Sequence, residues 1–161
     1  MLDNLFNRGT GRGTDGRKVN LDVPAVLAAH EKFLNGDEEG VVADFKDSNL
    51  AGYNFTGANL RYADFRGASL NNVNFTNADL TGANLQHANV RSANFEKALL
   101  RYTDFTAAIC TKASFVNADM RSTELVRCDM RNCNFNKTDL REVTIRNCNF
   151  TNASFENSLF W

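Results

Sequence analysis

Ala58-Asn59-Leu60-Arg61-Tyr62, Ala63-Asp64-Phe65-Arg66-Gly67 and Ala68-Ser69-Leu70-Asn71-Asn72 follow one another without a break. In each run of five, a large apolar residue stands third and a small one first. Extended in both directions, this phase holds from Phe45 to Phe160, through 24 consecutive apolar centres, and 11 of the chain's 13 Phe fall on them. Chance cannot produce that. The slot two residues before each centre holds Ala thirteen times; elsewhere it holds Cys, Thr, Ser or Val, and once Tyr53. The other three positions carry mainly Asn, Asp, Arg, Thr, Gly and Lys.

A period of five fits neither the 3.6 of a helix nor the 2 of a strand. Fixed self-similarity instead marks a stacked repeat. The physical solution is a chain that turns a corner after every pentapeptide. One large and one small side chain then point inward, and three positions stay outside. A single unit cannot bury its centre, so the units must stack.

Ala58-Asn59-Leu60-Arg61-Tyr62, Ala63-Asp64-Phe65-Arg66-Gly67 and Ala78-Asp79-Leu80-Thr81-Gly82 resemble the pentapeptide repeat family, with its A(D/N)LXX consensus. The resemblance covers about residues 43 to 161. It implies an all-β fold, a right-handed quadrilateral β-helix with four pentapeptides per coil. The residues support the four independently. Sorted by twenty, one wall is all Phe (Phe55, Phe75, Phe95, Phe115, Phe135, Phe155). The next reads Leu60, Leu80, Leu100, Met120, Leu140, Phe160. About six coils at ~4.8 Å spacing make a rod of ~29 Å. Ala suits the narrow slots because a larger side chain would overpack them. Tyr53 breaks that rule and is expected to lean outward at the imperfect first coil.

Three parts follow. Residues 1–20 are rich in Gly, Arg and Thr and read as a flexible arm. Residues 21–40 hold a capping helix and a turn. Asp22 or Val23 lies at the helix start, Pro24 in its first turn and Gly36 at its stop. Val23, Val26, Leu27, His30, Phe33 and Leu34 form its apolar face. The helix is expected to cover the unpaired edges of the first coil. The stretch from His30 to Gly36 is similar to a lead-in of bacterial and phage members of the family. Residues 41–161 form the repeat domain.

The remaining chemistry is thin. Gly11-Arg12-Gly13-Thr14-Asp15-Gly16 matches GxGxxG but opens no helix after a strand, so it reads as compositional chance. No CxxC spacing exists, and no nucleophile stands with a base, so neither metal, cofactor nor enzyme activity is expected. His30 reads as a core or boundary residue and His87 as an outward one. Cys110 sits on a centre and Cys128, Cys133 and Cys148 in small slots, so all four read as buried reduced thiols. With no apolar run long enough to span a membrane and no apolar leader region, a cytoplasmic location is expected.

Function is left to the surface. Arg61, Arg101, Arg121 and Arg141 line one wall as a candidate partner-binding stripe, with Asp119 and Asp139 on the same face. These read either as a solvated salt ladder or as guanidinium recognition of an acidic partner. Phe155, Leu159, Phe160 and Trp161 end the repeat without a cap and form a candidate dimer interface; the resemblance implies a homodimer through this C-terminal coil. The leading functional expectation is a non-enzymatic rigid scaffold for a protein partner. The resemblance implies an alternative, a DNA-mimic modulator or protector of DNA gyrase or topoisomerase. Mimicry needs a strongly acidic rod. Residues 45–161 instead contain 13 Lys+Arg and 11 Asp+Glu, a charge of +2. The mixed charge also argues against direct nucleic-acid binding, and only Tyr62 and Tyr102 offer outward aromatics near the arginine stripe.

Overall fold

A computed structural model of the chain describes residues 8–12 and 18–161, with side chains from Leu21 onward. Its repeat part is built from parallel bridges between residues twenty apart, from Asp44↔Asp64 to Asp139↔Leu159. Only Glu124–Val126 (β3) and Thr144–Arg146 (β4) lengthen into a regular parallel pair.

The hydrogen bonds of one pentapeptide, Ala78 to Gly82, explain both the period and the consensus. Ala78 N–H closes a turn on the Phe75 carbonyl at 2.9 Å. Asp79 N–H reaches back to Ala58 in the coil before (2.9 Å), and Leu80 N–H forward to Leu99 in the coil after (2.8 Å). Gly82 N–H also reaches forward, to Arg101 (2.8 Å). The one donor left, Thr81 N–H, is taken by the Asp79 carboxylate at 2.9 Å. Asn or Asp before the centre therefore satisfies a backbone group that the ladders cannot reach.

Each turn needs its third residue in the left-handed region. All 23 such positions from Asp47 to Asn157 have φ between +53° and +71°, and only four of them are Gly. Asn tolerates this conformation best among the others, and it fills seven of the positions.

Inside, the centres from Phe45 to Leu140 are buried. The Phe wall stacks ring on ring, with centroids 4.9 to 5.3 Å apart and planes within 17° from Phe55 to Phe155. Phe65 and Phe105 meet it edge-on. Such pairs add about 1 kcal/mol each to area burial.

The slots do more than fit small side chains. Thr103, Thr123, Thr138 and Ser158 donate to carbonyls 23 residues earlier at 2.6 to 2.9 Å. Cys128, Cys133 and Cys148 do the same through sulfur. All four cysteines are free; Cys110, Cys128 and Cys133 are buried as expected, whereas Cys148, in the last coil, is only half buried. Burial pushes the thiols of Cys110 and Cys128 up, and that of Cys133 up to about 12, so they stay protonated at neutral pH.

Tyr53 differs from the sequence expectation. It is buried, its ring 4.5 Å from that of Phe55. It belongs to the first coil, so no coil below confines it, and the ring turns into the end of the core.

Helix α1, Val23–Leu34, is capped by Asp22, whose side chain accepts from Ala25 N–H at 3.1 Å, with Pro24 in the first turn. Gly36 follows at φ +77°. Val23 joins the core, and Val26 and Leu27 pack against it, whereas Phe33 is half exposed. Ahead of α1, β1 (Arg8–Arg12) pairs antiparallel with β2 (Lys18–Asp22), from Arg8↔Asp22 to Arg12↔Lys18. Composition suggested a flexible arm over residues 1–20. The alternation Lys18-Val19-Asn20-Leu21-Asp22 has the strand period, which the Gly and Arg content hides. The rest of that arm, with most of the GxGxxG match, lies outside the described residues.

Candidate functional site

The wall of Leu60, Leu80, Leu100, Met120 and Leu140 carries the predicted arginines on the position after each centre. The coil spacing brings three of them together through carboxylates. Arg101 Nε donates to Asp119 at 2.6 Å. Arg121 grips the same carboxylate with two bonds, 2.9 and 2.7 Å, and lies 3.5 Å from Asp139. Arg141 grips Asp139 at 2.9 and 2.6 Å. The result is one alternating chain, Arg101–Asp119–Arg121–Asp139–Arg141. The hydrogen bond from Arg141 holds the Asp139 carboxyl below the usual carboxylate range.

Arg61 stands apart, because Thr81 interrupts the column. Among the described residues it meets no carboxylate. Its Nη2 donates to the Tyr62 hydroxyl at 3.3 Å, and its guanidinium lies 5.4 Å from the Tyr62 ring centroid. The Tyr62 ring itself lies over Gly82, where a Cβ would come within 2.8 Å of it. Tyr62 and Tyr102, on left-handed corner positions, are 51% and 67% exposed, and Leu99 beside them 43%. The sequence placed Tyr62 and Tyr102 outward near the arginines, and their exposure agrees; exposure adds Leu99 to the same wall. Leu99 stands where Asn or Asp is the habit, and that departure was the available clue.

At the last coil, Phe155 stacks on Phe135 at 4.9 Å and is half buried. Leu159, Phe160 and Trp161 are exposed, Trp161 completely. The N–H groups of Phe150, Asn152, Phe155, Asn157 and Phe160, whose counterparts in earlier coils reach forward, have no backbone acceptor among the described residues. The predicted terminal residues thus lie together on one open rim.

Among the described residues no three His, Cys, Asp or Glu are placed to hold a metal. A groove of about 340 Å³ lies between α1 and the first coil, lined by Leu27, Glu31, Leu34, Asn35, Ala58 and Asn59. Among the described residues no helix is long and apolar enough to cross a membrane.

A sequence-family model described as Pentapeptide repeats matches in eight copies, over residues 43–77, 58–96, 78–109, 98–136 and 123–161. No curated protein sequence matches the chain. Among solved structures it is similar to a pentapeptide repeat protein from the Arabidopsis thaliana thylakoid lumen, at 30% identity and TM-score 0.60, covering 61% of this chain and 68% of that one. It is similar to Rfr23, a pentapeptide repeat protein of the cyanobacterium Cyanothece 51142, at 19% identity and TM-score 0.41, with 86% and 99% covered. It is also similar to QnrB1, described as a plasmid-mediated fluoroquinolone resistance protein, at 16% identity and TM-score 0.49, with 68% and 70% covered.

Proposed function

Because the chain belongs to the pentapeptide repeat family, whose members fold as right-handed quadrilateral β-helices, we propose that it is a non-enzymatic rigid scaffold of about six coils that presents its Leu-centred wall to a protein partner. One observation carries this reading. Tyr62, Leu99 and Tyr102 stand exposed among Arg61, Arg101 and Arg121, and Tyr and Arg dominate the residues that supply binding energy at protein interfaces. Their backbone is tied at every coil, so little conformational entropy is lost on binding. The arginines contribute as a flat, pre-paired surface rather than as a free positive stripe, with Arg61 the exception.

The terminal coil gives the scaffold a second copy. Each strand there presents a carbonyl two residues before the centre and an N–H on the centre. Turned over by a two-fold axis across the rod, an identical strand presents the reverse order, so the rim is self-complementary in the antiparallel sense. Phe155, Leu159, Phe160 and Trp161 would be buried in that homodimer. Helix α1 acts as the cap of the opposite end. Four unoxidised thiols suit a reducing compartment such as the cytoplasm.

The test is direct binding with Arg61→Glu/Tyr62→Ala/Tyr102→Ala, compared with the parent protein, against proteins of the native host. Loss of a stoichiometric partner in the variant, with unchanged thermal unfolding, supports the wall; retention of that partner removes it. Equilibrium sedimentation separately decides the dimer, which Phe160→Glu/Trp161→Glu should convert to monomer.

A further inference from the structure

His30 supplies the hydrogen-bond acceptor for the first small slot of the repeat. In the later repeats, Cys128 and Cys148 apart, the N–H of the small slot closes a turn on the carbonyl of the preceding centre, as Ser48 does on Phe45 at 3.1 Å and Ala63 on Leu60 at 3.1 Å. Ala43 is the first slot and has no preceding centre. Its N–H donates instead to His30 Nδ1, at 3.1 Å, from α1. Next to it, Val41 N–H donates to the Ala29 carbonyl at 3.1 Å. These two bonds hook α1 onto the first coil.

That geometry fixes the state of the ring. Nδ1 accepts, so the single proton of the neutral imidazole sits on Nε2. His30 is fully buried, and Nε2 has no hydrogen-bond partner among the described residues. A second proton would turn Nδ1 into a donor facing the Ala43 donor, and would place a charge in the core contact. Among the described residues the surroundings offer that charge no side-chain partner, and the Arg61 carbonyl is the one group that favours it. On α1, Glu31 and Lys32 are exposed, and the Phe33 ring lies parallel to the imidazole at 6.0 Å. In the turn after α1, Asp37 and Glu38 are exposed, and Glu39 pairs with Lys32 at 3.3 Å. From β2, Asp22 caps the helix. In the first coil, Asp44 takes the Lys46 N–H and Asp47 is exposed, while Arg61 contributes only its carbonyl side.

We propose that His30 makes α1 a proton-operated latch, closed on the first coil while the imidazole is neutral and released by protonation, with the coils themselves left intact. Release would uncover the edge of the first coil, whose N–H and C=O groups are then open to a pairing strand. Burial lowers the affinity of His30 for its second proton. The sign follows: closure is at full strength above the free-imidazole value near 6.5, and weakens as pH falls from there through the lower folded value.

The experiment is amide hydrogen exchange of the full chain at pH 7.5 and pH 5.0, corrected for the intrinsic rate, beside an imidazole titration by NMR. The proposal expects protection over α1, Val41 and Ala43 to fall about tenfold or more at pH 5.0, while Asn94 and Ser114 in the central coils keep theirs. It expects His30 to hold the Nε2-protonated form at pH 7.5 and to titrate below 6.5. In His30→Gln, whose amide oxygen accepts without titrating, α1 protection should be equal at the two pH values. Unchanged α1 protection in the parent, equal losses in His30→Gln, or a His30 that titrates at or above 6.5 would overturn the proposal. Should His30→Gln fail to seat α1 at pH 7.5, the titration and the parent protein's exchange still decide it.

Discussion

Phe95 and Phe115, twenty residues apart in sequence, stack with ring planes 2° apart and centroids at 5.0 Å. The twenty-residue superperiod therefore appears as a physical column, continued at 4.9 Å by Phe135 and Phe155. Removing one ring leaves a void that neighbours tied by ladders on both sides cannot fill. Phe115→Ala should destabilise the fold by about 3–5 kcal/mol in denaturant unfolding. A near-neutral result would mean that the column does not carry the core.

The left-handed corners give an opposite prediction. Lys112 is held at φ +65° with an exposed side chain. Relief of about 1–2 kcal/mol of left-handed strain exceeds the about 0.5–1 kcal/mol of added chain freedom. Lys112→Gly should therefore raise stability by about 0.5–1 kcal/mol, read as a higher denaturant midpoint. A lower midpoint would place the cost of these corners elsewhere.

Gly40 sits where the chain passes from α1 into the first coil, and a Cβ there would collide with the Phe33 backbone. Backbone cannot swing aside as a side chain can. Gly40→Ala should loosen α1 and lower the unfolding midpoint, whereas Gly57→Ala meets open space and suffers only from its φ of +69°. Equal effects in the two variants would refute the close approach.

The arginine wall predicts a modest, salt-sensitive contribution with a defined pH range. Asp139 and Asp129 both titrate low, each first through a hydrogen bond from its arginine (Arg141 and Arg131). A depressed carboxylate stabilises above its unfolded value near 4, and that contribution is lost as pH falls through the lower folded value. Asp119→Asn, which loosens Arg101 and Arg121 together, should cost about 1 kcal/mol at low salt and less at 1 M salt. A cost independent of salt would contradict a screened surface ladder.

The charge of the rod argues against DNA mimicry. Supercoiling by DNA gyrase should be unaffected by micromolar amounts of the protein. Clear inhibition, or relief of an inhibitor, would reverse the ranking of scaffold over gyrase modulator.

The five-residue phase of Phe and Leu made the four-sided coil legible, because burial of the centres dominates every local choice. The alternation at Lys18–Asp22 was overshadowed by Gly-rich composition, and Tyr53 was misjudged because the end of a stack has room that its middle lacks. The arginines were legible as a column beside Asp119 and Asp139, with a salt ladder as one of two readings, but the individual bonds were not. Whether Asp119 bridges two guanidiniums depends on coil spacing and rotamers rather than on spacing in sequence. Tyr62 and Tyr102 were legible as outward aromatics near the arginines; Leu99 joined that surface only once its exposure was known. The latch at His30 needed the missing turn carbonyl to be seen.

Quantitative capture from native-host extract, comparing the parent protein with Arg61→Glu/Tyr62→Ala/Tyr102→Ala, tests the scaffold claim most directly. Charge reversal at Arg101 or Arg121 suits this purpose less well, since it would set Glu against Asp119 and disturb the ladder itself. The account predicts one protein held in stoichiometric amount by the parent and lost from the variant, with both forms unfolding at the same temperature. A partner held equally by both, or none held by either, would contradict it.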